Sequence, residues 1–148
     1  MKRIKGYVYK FGNNFGSTTR TISKEEFSIQ LDYMEEHNVC IPVTTCPEAL
    51  IEDLYKHPMK IDGYARLTLR DDGVYATIKT NGNIIDHFTD EFILENFNLG
   101  MALLCDNPSF YNSALKNVWI THLTVGRFLT KTIYKPERVV TIEKSEEV

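Results

Sequence analysis

The chain is short of cysteine, of long apolar runs and of net charge, and each shortage closes off a class of protein. Cys40, Cys46 and Cys105 are odd in number and lack CxxC spacing. That fits free thiols in a reducing compartment, acting as small apolar side chains, rather than a disulfide framework or a zinc knuckle. The longest uninterrupted apolar stretch, about five residues from Met101 to Cys105, falls far short of the roughly 20 that span a bilayer. The basic N-terminus, MKRIKGYVYK, is followed by no apolar h-region or small-residue cleavage site, so no secretory signal is expected. With 17 Lys and Arg against 20 Asp and Glu, the formal charge of −3 makes no electrostatic case for nucleic acid or an anionic membrane. The expected partner is protein.

Motifs are missing as well. There is no P-loop, GxGxxG, GxSxG or HExxH, so the common phosphate, dinucleotide, hydrolase and zincin signatures are absent. His37, His57, His87 and His122 each stand alone, and Asp86 and His87, as neighbours, would point to opposite faces of an extended strand. No metal and no cofactor are expected. The one dense basic stretch, Arg127 to Arg138, reads as a solvated face, because the aromatics do not interleave with Lys and Arg as a stacking platform would.

What is present is enough for an ordinary core: 148 residues, 43% hydrophobic, 11% aromatic and 25% charged. This suits one globular domain over residues 1–142 with a frayed polar tail at 143–148. Ile4 to Tyr9 reads as a strand, followed by a loop at Gly12 to Ser17. Ser23 and Glu26 form a capping box for a helix to Glu36, with Phe27, Leu31 and Met34 on its apolar face and Gln30 narrowing it. A strand from Asn38 to Val43 precedes a short helix that Pro47 opens and Tyr55 ends. Ile61 to Leu69 and Val74 to Thr80 flank Arg70-Asp71-Asp72-Gly73 as a hairpin, and Tyr64, Arg66 and Thr68 alternate with Ala65, Leu67 and Leu69. Thr89 caps a helix over Asp90 to Phe97. Strands from Leu99 to Cys105, Val118 to Ile133 and Arg138 to Ile142 complete the chain, with a helical turn from Ser113 to Leu115. The order predicts an α+β domain with a largely antiparallel sheet, able to curl into a barrel, and two or three helices.

Two groups of residues carry candidate chemistry. Cys46 or Cys105 paired with His122 would make a nucleophile and base, although His122 reads as one face of a strand, Cys105 as packing and Cys46 as turn geometry. Tyr7, Tyr9 and Phe11, at alternate positions, would put three aromatics on one side of the first strand, as core or as a docking stripe.

In order, the elements resemble the prohead (capsid-maturation) protease family of tailed phages, a serine protease fold shared with herpesvirus assemblins. Gly6-Tyr7-Val8-Tyr9-Lys10-Phe11-Gly12-Asn13 is similar to the family's opening Gly-Tyr strand, and Ser23 to Phe27 to its Ser/Lys-x-x-Phe segment. Pro42-Val43-Thr44 resembles its Pro-Val strand, and Gly63 to Tyr75, with Leu67, Asp71, Asp72 and Gly73, its hairpin. Leu99-Gly100-Met101 and Leu123 to Pro136 occupy the places of its later strands.

The departures decide what this resemblance implies. Where the family carries its catalytic His the chain reads Thr45-Cys46-Pro47, and Pro47 has no base; where it carries its nucleophilic Ser the chain has Asn98. The later strand offers Thr121, His122 and Thr124 but no carboxylate. Losing nucleophile and base together removes a unit whose members act cooperatively. The expectation is a pseudoenzyme: an auxiliary or decorating capsid protein that binds the major capsid protein and other virion components, with no nucleic acid or membrane partner. It would sit in the virion, and in host cytoplasm during assembly, with a homo-oligomer possible. The alternatives are an active maturation protease using Cys46 or another nucleophile, for which Ser23 and His122 are also to hand, and a small protein-binding module.

Overall fold

The structure, a computed structural model, describes residues 1–109, 113–128, 130 and 132–142. The polar tail expected at 143–148 lies outside the described residues.

Among the described residues seven strands and three α-helices make one α+β domain. They are β1 (Lys2–Lys10), α1 (Glu25–His37), β2 (Ile41–Thr44), α2 (Ile51–Lys56), β3 (Gly63–Leu69), β4 (Gly73–Thr80), α3 (Asp90–Asn96), β5 (Asn98–Leu104), β6 (Trp119–Gly126) and β7 (Arg138–Thr141). The strands form one sheet in the order β5-β6-β2-β3-β4-β1-β7, antiparallel everywhere except between β2 and β6. The sheet curls into half a barrel. Its two ends meet where the Leu99 amide donates to the Tyr134 carbonyl at 2.7 Å and the Glu137 amide donates to the Lys5 carbonyl at 2.7 Å. Gly6 permits this approach, since a Cβ there would meet the Leu99 side chain and the Lys135 carbonyl.

The local chemistry of most elements is as the sequence dictates. In the β3–β4 hairpin, Ala65 and Leu67 are buried and Tyr64, Arg66 and Thr68 exposed, the period of a half-buried strand. The Thr89 hydroxyl accepts from the Phe92 amide at 3.1 Å and caps α3. Phe27, Leu31 and Met34 of α1 pack on the concave face with Ile4, Val43, Ala65 and Leu123. Each fully buried large side chain contributes roughly 1.5–3 kcal/mol.

Several local expectations fail for identifiable reasons. No side chain caps α1: Lys24, the cap residue, already has helical dihedrals, and the Glu26 carboxylate accepts instead from the Asn117 amide at 3.2 Å. The stretch from Cys46 to Ala49 is a turn, closed by the Ala49 amide on the Cys46 carbonyl at 3.2 Å, so Pro47 does not open α2. That helix starts at Ile51, where the Asp53 carboxylate takes the Leu50 amide at 3.0 Å. Asn38 is in the left-handed conformation as the C-cap of α1, which delays β2 to Ile41. Ser113 to Leu115 form no helical turn, and β6 stops at Gly126 rather than running to Ile133.

The aromatic stripe of the first strand is also broken. A β-bulge lies between Tyr7, opposite Tyr75, and Tyr9, opposite Val74, so the extra residue, Val8, reverses the alternation. Tyr7 faces outward; Tyr9 is 1% exposed. The Tyr9 hydroxyl donates to the Asn13 carbonyl at 2.5 Å and accepts from the Ile22 amide at 2.9 Å, pinning the loop between β1 and α1.

Candidate functional site

Three places gather the residues on which function could turn. The first is a recess of about 280 Å³ at the mouth of the curl, lined by Tyr9, Ser17, Pro47, Gly100, Thr124 and Phe128 among others. Its walls are β1, β5, β6 and the loop that Tyr9 holds. Asn98, outside the lining, is 8% exposed, with its Nδ2 donating to the Phe128 carbonyl at 2.8 Å. Pro47 lines the recess; Asn98 does not, and touches it only through its bond to the lining residue Phe128. Among the described residues lining it, tyrosine is the only titratable type. Burial raises the Tyr9 phenol above its ordinary pKa, the Ile22 amide pulling it partly back and nearby Tyr134 adding to the rise. Ser17 therefore has no imidazole, carboxylate or ammonium beside it in that lining to take its proton.

The second place is an open recess of about 430 Å³ beside the end of β2, containing Thr45, Cys46, Lys60 and Asp62. Asp62 is 5% exposed and its Oδ2 accepts from the Thr45 amide at 2.9 Å and hydroxyl at 3.0 Å, a clamp that sets the turn leading to Cys46. Cys46 is half-buried against a small satellite core of Ala49, Leu54 and Ile61. Among the described residues no hydrogen bond joins it to His122. On β6, His122 is 1% exposed; its Nδ1 lies 2.9 Å from the Thr121 hydroxyl and its Nε2 has no hydrogen-bond partner among the described residues. Burial lowers the pKa of the imidazole, and the Ala49 backbone, facing the ring without closing a hydrogen bond of normal geometry, pulls partly the other way. Among the described residues neither Cys46 nor Cys105 is hydrogen-bonded to it. Cys105 lies just past the end of β5, packed against the main core. Ser23 is exposed before α1, its carbonyl accepting from the Glu26 amide at 3.2 Å.

The third place has no counterpart among the sequence motifs. β2 and β6 run parallel, pairing only at Val43–Leu123 and Thr44–Thr124, and their N-terminal halves are not paired with each other. Gln30 of α1, 2% exposed, reaches into the opening between them. A groove of about 330 Å³ lies here, with Tyr33, Val39, Tyr55, Leu104 and Trp119 on its walls. These side chains are 36–71% exposed, a contiguous apolar surface of the kind that marks an interaction site. The sequence signal is weak, since the residues come from α1, the loop after it, α2, β5 and β6, and they form no run.

Among the described residues no group of three His, Cys, Asp or Glu side chains converges as metal ligands would, and no helix is long and apolar enough to cross a membrane. No protein-family model, curated protein or solved structure matches the chain.

Proposed function

We propose that the chain is a catalytically inactive, prohead-protease-like protein that binds the capsid lattice of a tailed phage as an auxiliary or decorating component. The observation that carries this reading is the recess at the mouth of the curl. The two positions at which the resemblance places base and nucleophile are Pro47 and Asn98. Pro47 lines that recess without a base, and the Asn98 amide, outside the lining, is committed to the Phe128 carbonyl. Neither of these two positions supplies a general base or a nucleophile to the recess.

The apolar groove between α1, α2 and the ends of β5 and β6 is the contact surface in this reading. Tyr and Trp on its walls provide large, rigid apolar area of the type that dominates interface energetics. The competing protease reading makes a sharp prediction at Cys46. In cells assembling heads, Cys46→Ala leaves capsid and scaffold processing unchanged under the binding account, and a block in processing would sink it.

A further inference from the structure

We infer that the outer face of β3, β4, β1 and β7 is a binding surface for single-stranded nucleic acid. The cross-strand register lays its side chains in three rows. Arg138, Lys5, Thr77 and Arg66 form one row across β7, β1, β4 and β3, and Val140, Arg3, Lys79 and Tyr64 form the next. Tyr7, Tyr75 and Thr68 form the third, at the hairpin end. Five cations and three tyrosines thus occupy the rows, and no carboxylate does. None of the five cations is in an ion pair among the described residues.

Two of the direct cross-strand pairs, Lys5 with Arg138 and Arg3 with Lys79, are like charges, an arrangement that weakens a sheet. A polyanion lying over the rows would reverse that penalty. Further cations flank the third row: the Arg70 guanidinium stacks 3.6 Å from the Tyr75 ring centroid, and the Lys10 ammonium sits 4.7 Å from that of Tyr7. Carboxylates stand at the borders. Asp72 accepts from the Tyr7 hydroxyl at 2.8 Å, Glu137 faces the Tyr75 hydroxyl, and Glu35 shares a recess with Arg66 and Thr68.

Cations alone would suit any acidic surface. Tyrosine rings among them favour nucleic acid, whose bases stack on aromatic faces while phosphates meet Lys and Arg. Tyr64, 49% exposed beside Lys79, offers such a ring at the edge of the array. Net charge conceals this face, because α1 carries Glu25, Glu26, Asp32, Glu35 and Glu36 and no Lys or Arg. The cations are scattered in sequence and meet only through strand pairing. The surface shares no residue with the apolar groove and does not depend on the capsid reading.

The test is fluorescence anisotropy of the full chain with a labelled 20-nucleotide deoxythymidine oligomer, with polyglutamate of matched charge as competitor. Neutralisation of three to four phosphates predicts an affinity that falls roughly 20- to 50-fold between 50 and 200 mM salt. Arg66→Gln with Lys79→Gln should make that salt slope shallower by about 0.7 for each phosphate left without its cation. Tyr64→Ala should weaken binding roughly tenfold while leaving the slope unchanged. All three side chains lie on the outer face, and a thermal melt of each variant confirms that it folds. Absence of binding at 50 mM salt overturns the inference. So does equal competition by polyglutamate with no effect of Tyr64→Ala, which would make the face a dock for acidic protein.

Discussion

Gln30 and Ile120 exchange two hydrogen bonds: Gln30 Nε2 donates to the Ile120 carbonyl at 2.7 Å, and the Ile120 amide donates to Gln30 Oε1 at 2.6 Å. One side-chain amide thus stands in for a strand, satisfying both backbone groups of Ile120 where β2 and β6 are not paired. It also forms part of the lining of the apolar groove, so the stability of the fold and the shape of the candidate interface meet at one residue.

Gln30→Leu should therefore be costly although it swaps a polar for an apolar residue on a buried helix face. It leaves a buried amide and carbonyl unpaired, each worth about 1–3 kcal/mol. Urea unfolding is expected to show a loss of roughly 2–4 kcal/mol, with faster hydrogen exchange at the Ile120 amide. A loss below about 0.5 kcal/mol, the range of an inconsequential surface change, would contradict this role.

The buried His122 predicts an acid limb in stability. Its pKa is lowered in the folded state, chiefly by burial, so between that value and the unfolded value near 6.5 the unfolded chain binds more protons. Stability from this group is full above pH ~6.5 and falls as the pH drops toward the folded pKa. His122→Leu should flatten the decline in Tm between pH 7 and 5 relative to the unaltered chain. Parallel declines in the two proteins would show that other groups are responsible.

The groove predicts a separation of binding from folding. Tyr33 and Tyr55 are 52% and 71% exposed, so Tyr33→Ser with Tyr55→Ser should change stability by less than about 1 kcal/mol. Under the capsid-binding proposal the same pair should abolish sedimentation with purified phage heads. Retained binding in the double variant would move the interface elsewhere.

The like-charge pairs on the outer sheet face predict an unusual response to salt. Raising ionic strength from about 20 to about 300 mM should raise Tm, because repulsion between Lys5 and Arg138 and between Arg3 and Lys79 is screened. Lys79→Thr should be stabilising by about 0.2–1 kcal/mol at low salt and neutral at high salt. A Tm that falls with salt would mean that attractive pairs dominate instead.

How far the sequence leads can be judged from these residues. Alternation in Tyr64 to Leu69 and the Asp-Gly turn place the hairpin to within two residues, and Thr89 marks α3, because those signals are local. The α+β class follows from them. Tyr9 is harder to place, since one bulge residue reverses a strand's faces and no local pattern announces it. Gln30 looks like a flaw in an apolar stripe because its partner is 90 residues away. The recess joining Pro47 to the neighbourhood of Asn98, the groove and the basic rows are likewise products of topology. Each is assembled from three or more elements, so periodicity within any one of them carries no trace of it.

The proposal that the chain is a capsid component of a tailed phage is tested most directly by quantitative mass spectrometry of the mature and immature heads to which it assigns the chain. The account predicts the intact chain in mature heads, in a fixed ratio to the major capsid protein. Its absence from mature heads, with transient presence in immature ones as a departing protease would show, would contradict the account.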